Sequence, residues 1–193
     1  GAKILVCGRA GSIHLGMVGA VSFDALMESA QSVTLDPSGL VEREDSDVAV
    51  LLYTSGTAGA QRAAMLTHAN LASNIKQVLD DSGLAITPND RSLGALPFFH
   101  VFGLNVVLGV TLVAGGTVVL IDPFTAAEAI HLIRRHSITV VAGVPVMFDA
   151  LTSAATELGD DLGSVRLAVS GAATLSTKSS TAFTQRYGVT IHE

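Results

Sequence analysis

From residue 48 onward, apolar residues come in short runs separated by turn residues and by amphipathic stretches. Residues 48–53, Val-Ala-Val-Leu-Leu-Tyr, end at a Ser/Gly/Thr turn and predict a strand. Residues 68–79 predict a helix: Thr67 is placed to cap it, Leu71, Ile75, Val78 and Leu79 share one face, and Gly83 lies beyond its end. Between Ser92 and Ile121 no residue is charged, apart from His100 if protonated, and residues 101–121 are long enough to cross a bilayer. Asn105, Thr111, Thr117 and the glycines at 103, 109, 115 and 116 interrupt that stretch. Gly115-Gly116 divides it, which predicts a buried helix followed by a buried β-branched strand over 117–121 in place of a membrane span.

The same alternation continues to the last residue. Thr125-Ala126-Ala127-Glu128 is a capping box opening a helix through Arg135, with cations at its negative end. Residues 137–142 predict a strand, and Pro145 opens a helix to about residue 156. Residues 165–169 predict a strand. Ser176 caps a helix to Tyr187, with Gly188 just past its end, and residues 189–192 form a last strand. Residues 4–7 are a short apolar run that reads as a strand entered part-way through a fold; the run is too short for a signal peptide. Residues 42–47 read as a solvated acidic loop. Strand–helix alternation of this kind predicts the α/β class, with a parallel sheet covered by helices on both faces. In such sheets ligands gather beyond the carboxyl ends of the strands, here residues 53–55, 142–144, 170–172 and 192–193.

Composition narrows the function classes. Of 193 residues, 49% are hydrophobic and 15% charged, which suits a folded core and excludes a disordered chain. A net charge of −6 with no cationic run argues against a nucleic-acid partner, and an aromatic share of 5% without tryptophan argues against base stacking. Cys7 is the single cysteine, which excludes an internal disulfide and a cysteine-built zinc site. It reads as a small buried hydrophobe and fits a cytoplasmic setting. His14, His131, His136 and His192 show no metal-ligand spacing, so no metal site is expected from them.

The informative loop is Tyr53-Thr54-Ser55-Gly56-Thr57-Ala58-Gly59-Ala60-Gln61-Arg62. Glycines let backbone N–H groups approach an anion, hydroxyls add donors, and Arg62 adds positive charge. Spacing alone leaves phosphate binding and an ordinary polar loop equally open. The spacing and the missing Lys exclude the Gly-x4-Gly-Lys-Ser/Thr phosphate loop of NTPases, and Gly8-Arg9-Ala10-Gly11 lacks the full dinucleotide fingerprint.

The loop and the following Met65-Leu66-Thr67-His68-Ala69-Asn70-Leu71 closely resemble the signature of the adenylate-forming ligases, the superfamily of acyl-CoA synthetases, luciferase and peptide synthetase adenylation domains. Three further stretches match in order: Leu96-Pro97-Phe98-Phe99-His100-Val101-Phe102-Gly103, then Val141 through Phe148, then Ser170-Gly171-Ala172-Ala173-Thr174-Leu175. The resemblance, most like a fatty-acid–CoA ligase, implies part of that superfamily's large N-terminal domain. Residues 1–47 would end its first subdomain region, residues 48–193 would carry the phosphate-loop and acyl/adenine side, and the C-terminal domain with its catalytic Lys would lie outside the chain. It implies ATP with Mg2+, a carboxylic (fatty) acid, and CoA as acceptor. The acid would attack the α-phosphate of ATP and the acyl group would then pass to a thiol. Thr54, Ser55, Gly56, Thr57, Gly59 and Arg62 would hold the phosphates. His100 would act at the carboxylate, Phe99, Gly143, Val144 and Met147 would line the acyl pocket, and Gly171, Ala172 and Ala173 would flank adenine. The magnesium-binding acid of the family's Gly-Tyr-Gly-x-Thr-Glu motif lies beyond Glu193. The chain alone is therefore expected to be inactive, and an apolar face left by a missing half would favour oligomers.

The loop also departs from the family pattern Thr-Ser-Gly-Thr-Thr-Gly-x-Pro-Lys-Gly at Ala58, Gln61, Arg62 and Ala63. A lost hydroxyl removes a phosphate donor, worth about 0.5–1.5 kcal/mol. Arg62 keeps the charge but presents a flat fork where Lys presents a point. Ala63 would be strained if the family uses a positive φ there. A second class follows: a non-catalytic relative that binds acyl chains or a partner but not ATP.

Overall fold

The computed structural model describes residues 4–6, 20–30, 41–53, 62–80, 84–158 and 162–193; Cys7 lies outside them. The chain divides into two compact units, Gly1–Arg43 and Glu44–Glu193. In the first, strands β1 (Ile4–Val6) and β2 (Ala20–Ser22) pair in parallel and helix α1 (Phe23–Ala30) follows.

The second unit opens with a hairpin. Strand β3 (Val48–Tyr53) pairs antiparallel with β4 (Ala63–Thr67), so that Tyr53 stands opposite Ala63. β3 is the strand expected from its apolar run, whereas Ala63-Ala64-Met65-Leu66 carries no β-branched residue and gave no strand signal. Helix α2 (His68–Asp80) starts directly from β4. Thr67 Oγ1 accepts from the Asn70 N–H at 3.2 Å, and Asn70 Oδ1 accepts from the Thr67 N–H at 3.1 Å. The acidic loop is exposed, but it also works as a cap: the carbonyls of Asp47 and Asp45 accept from the N–H groups of His68 and Ala69 at 3.1 and 2.9 Å.

A five-stranded parallel sheet follows, in the order β6-β5-β7-β8-β9. Its strands are β5 (Arg91–Gly94), β6 (Thr117–Leu120), β7 (Val140–Gly143), β8 (Leu167–Ser170) and β9 (Ile191–His192). Between β5 and β6 lie a π-helical segment (Phe102–Gly109) and the short helix α3 (Val110–Val113). Helices α4 (Ala126–His136), α5 (Pro145–Leu158) and α6 (Thr177–Tyr187) make the other crossovers. Among the described residues, no helix is long and apolar enough to cross a membrane.

Strand residues alternate between two cores, as a sheet buried on both faces requires. Leu93, Val141, Ala168 and Ile191 meet Ile130 and Ile133 of α4, Phe148 and Leu151 of α5 and Phe183 of α6. Ala142, with Val169 beside it, meets Val107 and Phe102 of the π segment, and Leu96 and Met147 close the end of that cluster. Phe148 and Phe183 meet edge to face at 5.2 Å, a pairing worth about 0.5–1.5 kcal/mol beyond the area it buries. The predicted caps hold: Thr125 Oγ1 accepts from the Glu128 N–H, Ser176 Oγ from the Ser179 N–H, and Gly188 ends α6 at φ 71°. Four of the expected strands of this sheet depart from expectation, and β9 begins only at Ile191 where residue 189 was expected. Ser137 turns left-handed (φ 50°) to end α4, so β7 begins only at Val140. Val165 closes a turn onto the Leu162 carbonyl, which delays β8 to Leu167. β6 is an edge strand with Thr117 and Leu120 exposed, where a buried strand was expected.

One buried carboxylate ties the amino ends of these strands together. Asp90 is 3% exposed. Its Oδ1 accepts from Arg166 Nε at 2.8 Å and from Thr139 Oγ1 at 2.7 Å; its Oδ2 accepts from Arg166 Nη2 at 2.5 Å and from the Thr87 N–H and hydroxyl at 2.8 and 2.9 Å. Burial alone would push this carboxyl up, but the bonds from Arg166, Thr139 and Thr87 outweigh it and hold Asp90 well below the usual carboxylate range. Since the folded carboxyl titrates below its unfolded value of about 3.9, its contribution is complete above that pH and is lost as pH falls further. We expect Asp90→Asn to lower the unfolding free energy by about 3 kcal/mol in urea denaturation at pH 7. The loss of thermal midpoint below about pH 4 should flatten in the same variant; an unaltered acid profile would show that other carboxylates set it.

Candidate active-site cleft

The sheet reverses its winding between β5 and β7. The chain leaving β5 crosses to β6 on one side, while the chain leaving β7 crosses to β8 on the other. The carboxyl ends of two such strands diverge and leave a crevice. A cleft of about 430 Å³ lies there. Ala95, Leu96 and Pro97 extend from β5, Val144 and Met147 follow β7, Ala172 follows β8, and His100, Val101 and Phe102 close the remaining side.

Local sequence explains each wall. Pro97 begins a turn in which the His100 N–H donates to the Pro97 carbonyl at 3.1 Å, and the His100 carbonyl then accepts from Leu104 at 2.9 Å. Gly103 lies against that turn so closely that a Cβ would fall on the Pro97 carbonyl. Phe102 therefore enters the cleft at the start of the π segment, and its ring rests on Gly171, where a Cβ would stand 3.0 Å from the ring edge. Gly143 lets Met147 fold back over β7, with its sulfur 3.4 Å from where a Cβ would be. Met147 lines the cleft, whereas Phe148, next in sequence, is fully buried on the opposite face of the sheet. Ala172 sits left-handed at φ 67°, a conformation costly for a residue with a Cβ, at the mouth of the cleft.

Of the residues proposed from sequence, His100, Val144, Met147 and Ala172 come together around this cleft, and Gly143 and Gly171 support it from behind. Ala173 is exposed on the same turn. Phe99 stands apart from this group. Its side chain is 74% exposed and lines a neighbouring groove with Leu120 and Asp122, its ring 4.8 Å from that of His100. Thr54, Ser55, Gly56, Thr57 and Gly59 lie outside the described residues. Arg62 is exposed at the entrance to β4. Ala63 begins that strand in register with Tyr53 and is absent from the positive-φ residues, so its side chain costs no backbone strain. From sequence, Phe102 and Leu96 had no role, although both lie within a motif already singled out, and nothing signalled that Ala172 would be left-handed.

The profile of the AMP-binding enzyme family matches residues 11–193. The chain belongs to that family. It is 30% identical to a feruloyl-CoA synthase of Amycolatopsis over 97% of this chain and 46% of the relative. It is 40% identical to 4-coumarate–CoA ligase 3 of Arabidopsis thaliana over 67% of this chain and 23% of that protein. Among solved structures, apo MatB from Rhodopseudomonas palustris superposes with a TM-score of 0.74 at 31% identity, covering 89% of this chain and 34% of MatB. The O-succinylbenzoate coenzyme A synthetase of Bacillus subtilis, in complex with ATP and magnesium, superposes at 0.73 with 27% identity over 89% of this chain and 34% of that one. The chain thus spans less than half the length of these relatives. The α/β fold expected from the strand–helix alternation is the fold these ligases share.

The two tight glycines differ in what they meet. We expect Gly103→Ala to lower stability by about 1–3 kcal/mol, because backbone must move. Gly171→Ala should cost less, because only the Phe102 ring has to give; urea midpoints of the two variants in parallel test that order.

Proposed function

We propose that the chain is the acid-binding part of an AMP-forming carboxylic acid–CoA ligase. The supporting observation is the apolar cleft at the winding reversal, which gathers His100, Val144, Met147 and Ala172 from three separate motifs that resemble those of the AMP-binding family. Its walls are apolar save for His100 at the rim. An acid with an apolar body, aryl or fatty, buries that body between Leu96, Phe102 and Met147 and directs its carboxylate outward toward His100. The exposed turn Gly171-Ala172-Ala173 offers a flat, small-side-chain surface at the same mouth, suited to a purine face. The loop between Tyr53 and Ala63 is tethered by a strand pair at both ends and supplies the phosphate side. Carboxylate and α-phosphate are then held together, and the reaction proceeds mainly by positioning and charge stabilisation, releasing pyrophosphate before a thiol accepts the acyl group. ATP and CoA enter as substrates. Magnesium would supply charge neutralisation at the nucleotide's phosphates.

Acid-dependent ATP–pyrophosphate exchange by the full-length protein tests this reading, with 4-coumarate, ferulate and a fatty acid compared. We expect exchange with at least one of them, and His100→Ala to lower it by about tenfold or more. The substitutions at Ala58, Gln61 and Arg62 favour a second reading, in which an acid is bound but ATP is not activated. Restoring Ala58→Thr with Arg62→Lys should tighten ATP binding in calorimetry; an unchanged dissociation constant would acquit the altered loop.

A further inference from the structure

The π-helical segment has one more polar feature that the cleft does not use. Asn105 is 3% exposed in the middle of an otherwise apolar stretch, Phe-Gly-Leu-Asn-Val-Val-Leu-Gly. A buried amide without partners is costly, and this one has found its partners on another helix. Asn105 Nδ2 donates to Asn74 Oδ1 at 2.7 Å and reaches the Leu71 carbonyl at 3.5 Å, both on α2. The contact is close along its length: a Cβ on Gly109 would stand 2.9 Å from Ile75 Cδ1. The backbone of Asn105 also carries the π spacing, since its carbonyl accepts from the Val110 N–H five residues on. That spacing sends the residues of the segment to two sides. Phe102 and Val107, five apart, face the sheet and the cleft cluster, while Asn105 and Gly109 face α2. Helix α2 is itself the direct continuation of β4, the strand that leaves the loop between Tyr53 and Ala63.

We infer that Asn105 is a positioning residue for the acid cleft: its bond to Asn74 fixes the rotation of the π segment and so holds Phe102 against Gly171 as a wall of the acid site. The inference rests on the ligase reading above. The Gly109 contact with Ile75 is apolar packing, which tolerates small rotations that a buried amide does not. Without the bond the segment relaxes toward ordinary α spacing, Phe102 leaves its place and the acid loses a wall, while the loop between Tyr53 and Ala63 keeps its strand pair.

Asn74 is exposed on α2, so Asn74→Ala removes the acceptor without opening the core. In the full-length protein, with the acid that supports exchange, we expect Asn74→Ala to raise the KM for the acid by about tenfold and leave the KM for ATP within about twofold. Asn74→Asp, which keeps an acceptor oxygen, should restore the acid KM. Asn105→Val should reproduce the Asn74→Ala split, and the pair Asn74→Ala/Asn105→Val should add nothing further. Unchanged acid KM in Asn74→Ala, or acid and ATP KM rising together, would overturn the positioning role while leaving the ligase reading intact. A wild-type protein that exchanges with none of the acids would overturn the ligase reading and this inference with it.

Discussion

The candidate cleft of the second unit sits at one end of a parallel sheet, and the register of that sheet is set at the other end by Asp90. A parallel sheet has evenly spaced hydrogen bonds that would accept several registers if the strands could slide. The Asp90 carboxylate removes that freedom. It precedes β5 directly, takes Thr139 from the approach to β7, and takes both Nε and Nη2 of Arg166 from the approach to β8. Its own carbonyl accepts the Thr117 N–H that begins β6. Four strands are thus pinned at their starts by groups belonging to one residue. Because each of these strands is only four residues long, pinning the start also fixes where the carboxyl end emerges. The ends of β5 and β7 fall side by side, and the cleft is the space between the chains leaving them.

The two faces of the sheet then divide the work. The face under α4, α5 and α6 is mainly apolar packing, with Phe148, Phe183, Ile130 and Ile133 sealed from solvent. It is built to be rigid, and it contributes nothing to the cleft. The other face is thinner and more particular. It is covered by a π-helical segment, and its polar residues each have a dedicated partner: Ser92 with Thr111 at 2.7 Å, Asn105 with Asn74. Met147 belongs to a helix of the first face but reaches the second across the edge of β7, made possible by Gly143. Changes in Phe102 or Met147 would reshape a cleft on this side without disturbing the core behind it.

How far this was legible in the sequence follows the range of the interactions involved. Helices α2, α4, α5 and α6 carry their stop and start signals within four residues, in Thr67, Thr125, Pro145, Ser176 and Gly188, and these were readable. Strands rich in Val, Leu and Ile were readable as strands. β5 was not, because Arg91-Ser92-Leu93-Gly94 carries a charge, a hydroxyl and a glycine; its stability comes from two neighbouring strands and from the Ser92–Thr111 pair. The π spacing could not be read from a stretch apolar on every side, where no period shows. The Asp90–Arg166 pair joins residues 76 positions apart, and nothing local marks it. The motif residues of the cleft were legible only through their resemblance to a family, and that resemblance located Phe99 in the pocket where the chain turns it outward.

Phe99 shows why strand order must come before motif position in assigning a site. Phe98, Phe99 and His100 follow one another in a turn, but Phe98 and Phe99 line one groove and His100 the other. The hydrogen bond from His100 to the Pro97 carbonyl closes that turn and decides which residues look inward. His100, Val101 and Phe102 do, and Phe99 is left on the side of β6, beside Leu120 and Asp122. It still touches the site through its ring contact with His100. Phe99 thus meets the cleft only through the imidazole, and in the proposed reading the wall that meets the acid is Phe102, three residues further on.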